Sequence, residues 1–111
     1  MTGPLGGLTA VLALLYFGAS LFHSGIVVRG SVLDAATIPE ALLGVVLVAG
    51  LVGLIRSALA TYLIVLAGTL FGLTIVVLRG GVDLWIHVAM LTGLLVGLAL
   101  ILRERGRAVR A

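Results

Sequence analysis

The sequence predicts an all-α fold, an antiparallel up-and-down bundle of four transmembrane helices, and three observations carry that expectation. Of the 111 residues, 62% are hydrophobic and only 10% charged, against about 25% charged in a soluble domain. The apolar residues fall into four runs, each near the roughly 20 residues a helix needs to cross a hydrocarbon core of about 30 Å. The polar breaks between runs are short, which makes consecutive helices antiparallel neighbours. With a mean hydropathy of +1.39, the chain has a lipid bilayer as its solvent. Such a bundle uses the whole chain as a single domain, residues 1–111, and leaves no length for a separate soluble catalytic or nucleic-acid-binding domain.

The first run begins at Pro4, a residue suited to the first turn of a helix, and predicts a helix over residues 4–28, closed by Arg29 and Gly30. No basic residue precedes it and it is too long for the apolar core of a signal peptide, so it reads as a retained span. A loop over residues 31–36 follows. Thr37, Ile38, Pro39 and Glu40 then have the spacing of a capping box, opening a second helix over residues 38–55. Arg56 and Ser57 are the polar break before the third helix, residues 58–78, with Ser57 as its N-cap. Arg79, Gly80 and Gly81 end that helix, and the fourth is expected over residues 83–102. A basic tail, residues 103–111, follows with Arg103, Arg105, Arg107 and Arg110.

Charge sets the expected orientation. Arg56 and the four tail arginines fall on one side of the bundle, Arg29 and Arg79 on the other, so the positive-inside rule puts the N- and C-termini in the cytoplasm of a multi-pass cell-membrane protein. The pI near 10.7 then reflects a membrane flank, and no nucleic-acid partner is expected. Arg29, Glu40, Arg79 and Asp83 are expected as outer-rim charges, each sign at the helix end its dipole favours. The absence of Cys, Lys, Asn and Gln excludes disulfides and thiolate metal sites, and suggests a GC-rich or heat-adapted prokaryote.

Small residues four apart allow helix backbones to approach closely in lipid. Gly68/Gly72 and Gly93/Gly97, with Ala49/Gly53 as a weaker version, are therefore the expected helix-packing positions. Helices 3 and 4 are expected to meet through the two glycine pairs, with Gly44 a more tolerant site. On helix 1, Thr9, Ala13, Tyr16, Ser20, His23 and Val27 share one face. Polar atoms in hydrocarbon need partners, so this stripe is expected to point inward, toward Tyr62 and Thr69 on helix 3.

His23 and His87 are placed by helical rise at similar depth near one end of the bundle. The simpler expectation pairs His87 with Asp83 and leaves His23 on the polar stripe. If the rings meet, they are candidate ligands for a metal or haem b.

At Asp83-Leu84-Trp85-Ile86-His87 the chain resembles an uncharacterised family of small four-helix bacterial membrane proteins, common in actinobacteria, whose last helix opens with Asp-x-x-x-His. The hairpin from Arg56 to Gly72 and the overall length are similar too. That family's second helix usually opens with histidines beside an asparagine, where this chain has Ile38-Pro39-Glu40-Ala41-Leu42. The resemblance implies the four-helix architecture and no activity. Neither the helix 1 glutamate of small multidrug exporters nor the Gly-Gly-x-Thr-Thr-Phe-Ser stretch of fluoride channels is present. No nucleophile–base pair or carboxylate pair can be assembled, so an enzyme is not expected. The expected role is structural or accessory, a subunit packing against other membrane protein subunits or as a homo-oligomer, with no cofactor. A haem- or metal-binding redox subunit using His23 and His87 is the alternative, and a small transporter the third reading.

Overall fold

Within hydrocarbon a backbone must satisfy its own N–H and C=O groups, and a chain of four apolar runs does so as four helices. The computed structural model describes residues 1–24, 37–78 and 84–111. In order, these form α1 (Gly3–His23), α2 (Thr37–Leu51), α3 (Ala58–Leu78) and α4 (Leu84–Arg110). Three of them, α1, α3 and α4, contain spans long and apolar enough to cross a membrane, whereas α2 is a shorter apolar helix. The chain is thus a small membrane-embedded helical bundle.

Each boundary has a local cause. Pro4 lies in the first turn of α1. The expected continuation of that helix through residues 25–28, including Val27, lies outside the described residues. Ser57 caps α3 as expected, its Oγ accepting a hydrogen bond from the Ala60 N–H at 3.1 Å. The second helix stops at Leu51 rather than running to residue 55. Gly53 takes a φ of +86°, a conformation only glycine adopts at little cost, and the Ile55 N–H turns back to the Ala49 carbonyl at 3.1 Å. The N-terminal ammonium of Met1 also donates to the Leu51 carbonyl at 3.1 Å, covering an end-of-helix acceptor. Gly53 is therefore a turn residue, not half of a helix-packing pair.

The tail departs from expectation as well. Instead of ending near residue 102, α4 continues without a break to Arg110, because Arg, Glu and Ala are good helix formers and a single Gly106 costs only about 1 kcal/mol. At 27 residues the helix is about 40 Å long, and everything after Ile101 is exposed.

Around the bundle, α1 packs on α2 and α4, while α3 packs on α2 and α4. The cyclic order is therefore α1–α2–α3–α4, with α1 and α3 parallel across one diagonal. A glycine serves each of the four neighbouring pairs. A Cβ added to Gly44 would come 3.0 Å from the Phe17 ring, one on Gly50 2.5 Å from the Thr61 hydroxyl, and one on Gly93 2.6 Å from Leu12, while one on Gly97 would collide with the Tyr62 ring. Gly68 likewise faces Leu43, but Gly72 has nothing within 4 Å of such an atom. The expected meeting of Gly68/Gly72 with Gly93/Gly97 is thus corrected. Gly68, Gly93 and Gly97 receive bulky side chains from adjacent helices instead of meeting each other, and Gly44 is a contact point, not a tolerant one. Ala49 of the third small-residue pair is partly buried on α2.

Candidate functional site

The side of α1 that turns inward is its polar stripe. Thr9, Ala13, Tyr16, Ser20 and His23 are all buried, because the seven-residue repeat of alternating four and three steps keeps them on one face. The matching residues of α3, Tyr62 and Thr69, are buried too. The two helices exchange partners across the diagonal. The Thr9 and Tyr62 hydroxyls lie 2.8 Å apart, and the Tyr16 and Thr69 hydroxyls are also hydrogen-bonded. Each threonine additionally donates to the carbonyl four residues back, Thr9 to Leu5 at 2.7 Å and Thr69 to Val65 at 2.7 Å.

Between these two hydroxyl levels lies an apolar one. Leu12 sits between Thr9 and Tyr16, Val65 between Tyr62 and Thr69, and both are essentially inaccessible, as are Leu47 of α2 and Leu94 of α4. Gly93, beside Leu94, accepts the Leu12 side chain. All four helices thus contribute buried apolar side chains to one cluster that interrupts the polar column. Below it, at the end bearing the arginine tail, an open groove of about 520 Å³ lies among Leu5, Arg56, Ile101, Glu104 and Arg105.

Beyond the Tyr16 level, away from the tail, the polar groups become ionisable. Ser20 donates to the Thr37 carbonyl at 2.6 Å, joining α1 to the start of α2. One turn further along each helix, His23 Nε2 lies 3.7 Å from Glu40 Oε1. His23 and Glu40 are only 8% and 6% exposed, and the Phe22 ring stands edge-on to the imidazole at 5.5 Å. His87, in the first turn of α4, is buried as well.

Glu40 is the residue that the sequence misplaces. As the last member of a capping box it reads as an exposed rim charge, yet its side chain turns inward to His23. Thr37 begins the helix and its hydroxyl, buried, makes no hydrogen bond among the described residues, so the capping box does not form. The signal for an inward carboxylate was present in the spacing: Glu40, Gly44, Leu47 and Gly50 are the buried residues of α2 and share one helix face. The other three expected rim charges, Arg29, Arg79 and Asp83, lie outside the described residues, and with Asp83 goes the expected His87–Asp83 pair. Among the described residues, no group of three or more His, Asp or Glu side chains is arranged to hold a metal ion.

The arrangement can stabilise the bundle through buried hydrogen bonds and can hold charge or a proton at its far end. Comparison with protein-family models, with characterised proteins and with solved structures finds no match.

Proposed function

We propose that the protein is a structural or accessory subunit of a prokaryotic cell membrane, acting through its lipid-facing exterior by packing against a larger membrane assembly or against copies of itself. The observation that most supports this reading is the interior. Two hydroxyl pairs, Thr9–Tyr62 and Tyr16–Thr69, bond each other, and buried Leu12, Leu47, Val65 and Leu94 place apolar side chains between them, which argues against an aqueous path along the axis. The exterior is better suited to association. On α4, Ala89, Thr92, Val96 and Ala99 are exposed along one side, and Thr92 turns its hydroxyl back to the Val88 carbonyl at 2.8 Å, leaving a surface of small side chains that another helix can approach closely. On this reading the protein is not an enzyme and needs no cofactor.

Buried Glu40 favours a small transporter as the second reading, since ionisable residues inside membrane proteins mark transport paths. The apolar cluster opposes a path through the bundle axis. A redox role through His23 and His87 is weaker still, because His23 Nε2 faces Glu40.

The lack of native cysteine makes the test direct. Single-cysteine variants Thr92→Cys and Ala99→Cys should give oxidative cross-links in native membranes, to a second copy or to another membrane protein, with Val11→Cys on the exposed side of α1 as the comparison. A monomeric mass in mild detergent, with no cross-link from either α4 position, overturns the reading.

A further inference from the structure

We propose that the groove at the arginine-bearing end of the bundle is a binding site for one anionic phospholipid, its phosphate held by Arg56 and Arg105 and its acyl chains entering along Leu5, Leu59 and Ile101. These residues line one open groove of about 520 Å³, within the size range of small-molecule sites. Three parts of the chain build it. Leu5 is in the first turn of α1, Arg56 and Leu59 flank the start of α3, and Ile101 and Arg105 lie one helical turn apart on α4.

Position selects a lipid as the occupant. Leu5 and Ile101 are buried members of the apolar core, whereas every residue of α4 from Leu102 onward is exposed. The groove therefore straddles the level at which the apolar bundle gives way to its basic extension, where a bilayer has its phosphates. An amphiphile matches both halves of such a groove. A phosphodiester suits the forked donors of arginine, and the first methylenes of the acyl chains suit the leucine and isoleucine walls. A free phosphate ion uses the first half alone.

Charge complementarity sets the sign of the headgroup. The charged side chains lining the groove are Arg56, Arg105 and Glu104, two guanidiniums against one carboxylate, and Arg103 and Arg107 belong to the same exposed extension. The positive end of the α3 dipole, at Ala58, borders the groove as well. A net positive pocket at the end of membrane helices favours a lipid of net negative charge. Glu104 makes the choice testable, because its carboxylate repels an anionic headgroup and attracts the ammonium of a zwitterionic one. Arg56 and Glu104 also border an adjoining hollow of about 270 Å³ beside Met1 and Gly53, which leaves room for the headgroup beyond the phosphate.

The test is native mass spectrometry of the full chain in a neutral detergent, titrated with phosphatidylglycerol, phosphatidylcholine, phosphatidylethanolamine or glycerol phosphate. Phosphatidylglycerol should form a one-to-one adduct and bind more tightly than the other three. Arg56→Gln and Arg105→Gln should each weaken that adduct by about tenfold or more, the size of one hydrogen bond to a charged group. Arg110→Gln, in the tail but not in the groove wall, should have a much smaller effect, and Glu104→Gln should strengthen the adduct. Ala108→Trp keeps both arginines and fills the groove from its wall, so it should remove the adduct. All the substituted residues are exposed, and each variant keeps the core intact. Equal losses from Arg105→Gln and Arg110→Gln would mean diffuse attraction to the tail and overturn the site. So would an adduct that survives Ala108→Trp, or glycerol phosphate binding as tightly as the lipid. Tighter binding of phosphatidylethanolamine that is lost in Glu104→Gln would overturn the choice of an anionic lipid.

Discussion

Gly97 shows how much one residue decides in this bundle. Tyr62 is fully buried and its hydroxyl is committed to Thr9, so its ring lies where α4 can pass only without a side chain. A Cβ at Gly97 would collide with that ring, whereas one at Gly72 meets nothing within 4 Å. Gly97→Ala should therefore destabilise the bundle by about 1–3 kcal/mol, the usual penalty of overpacking, and Gly72→Ala should leave it unchanged or slightly better. Denaturation of both variants in mixed micelles checks the contrast, and equal effects would contradict the packing described. The spacing of Gly93 and Gly97 announced a close approach but not what fills it, because small-residue patterns identify space on one helix and leave the knob on its neighbour open. Glu40 carries a similar lesson. Near the end of an apolar run, a rotation of about 100° per residue separates rim from interior, and a pattern that explains a charge as a cap conceals that it faces inward.

Among the elements, α3 was the most legible, with its expected residues 58–78 matching Ala58–Leu78. Its start is a chemical signal, a serine whose hydroxyl accepts the Ala60 N–H, and such signals are local. Ser57→Ala should cost about 1 kcal/mol and Ser57→Gly only a few tenths, measurable as a difference in unfolding midpoint. The reverse ordering would mean that the cap has no energetic role. The ends of α2 and α4 were misread for opposite reasons. Apolar composition continues past Leu51, where the left-handed Gly53 breaks the helix, whereas polarity begins at Arg103, where nothing breaks it. Hydropathy reports solvent and says little about where a helix stops. The polar stripe of α1 was readable because helical periodicity and the need of buried hydroxyls for partners point to the same face.

At the scale of the molecule, the placement of the arginines bears on which end faces which compartment. The hairpin at Arg56 and Ser57 and the exposed extension of α4 lie at one end, since Leu5, Arg56, Ile101, Glu104 and Arg105 surround a common groove. Five of the seven arginines, Arg56, Arg103, Arg105, Arg107 and Arg110, are in those two segments. Moving basic residues across a membrane is strongly disfavoured, so this end should be cytoplasmic. Because the tail is helical and exposed rather than folded onto the bundle, its guanidiniums are available to the anionic surface of that leaflet, each contributing about 1 kcal/mol of attraction. The same orientation places the His23–Glu40 pair on the opposite side. Reporter fusions at the Arg56–Ser57 hairpin and after Ala111 should therefore both be active only as cytoplasmic reporters. Replacing Arg103, Arg105, Arg107 and Arg110 together with Ser should weaken that preference and yield a mixed population, with Arg56 left to hold the hairpin. Activity of both fusions as extracytoplasmic reporters would reverse the orientation while leaving the fold intact. Opposite results from the two fusions would contradict the antiparallel arrangement of α3 and α4.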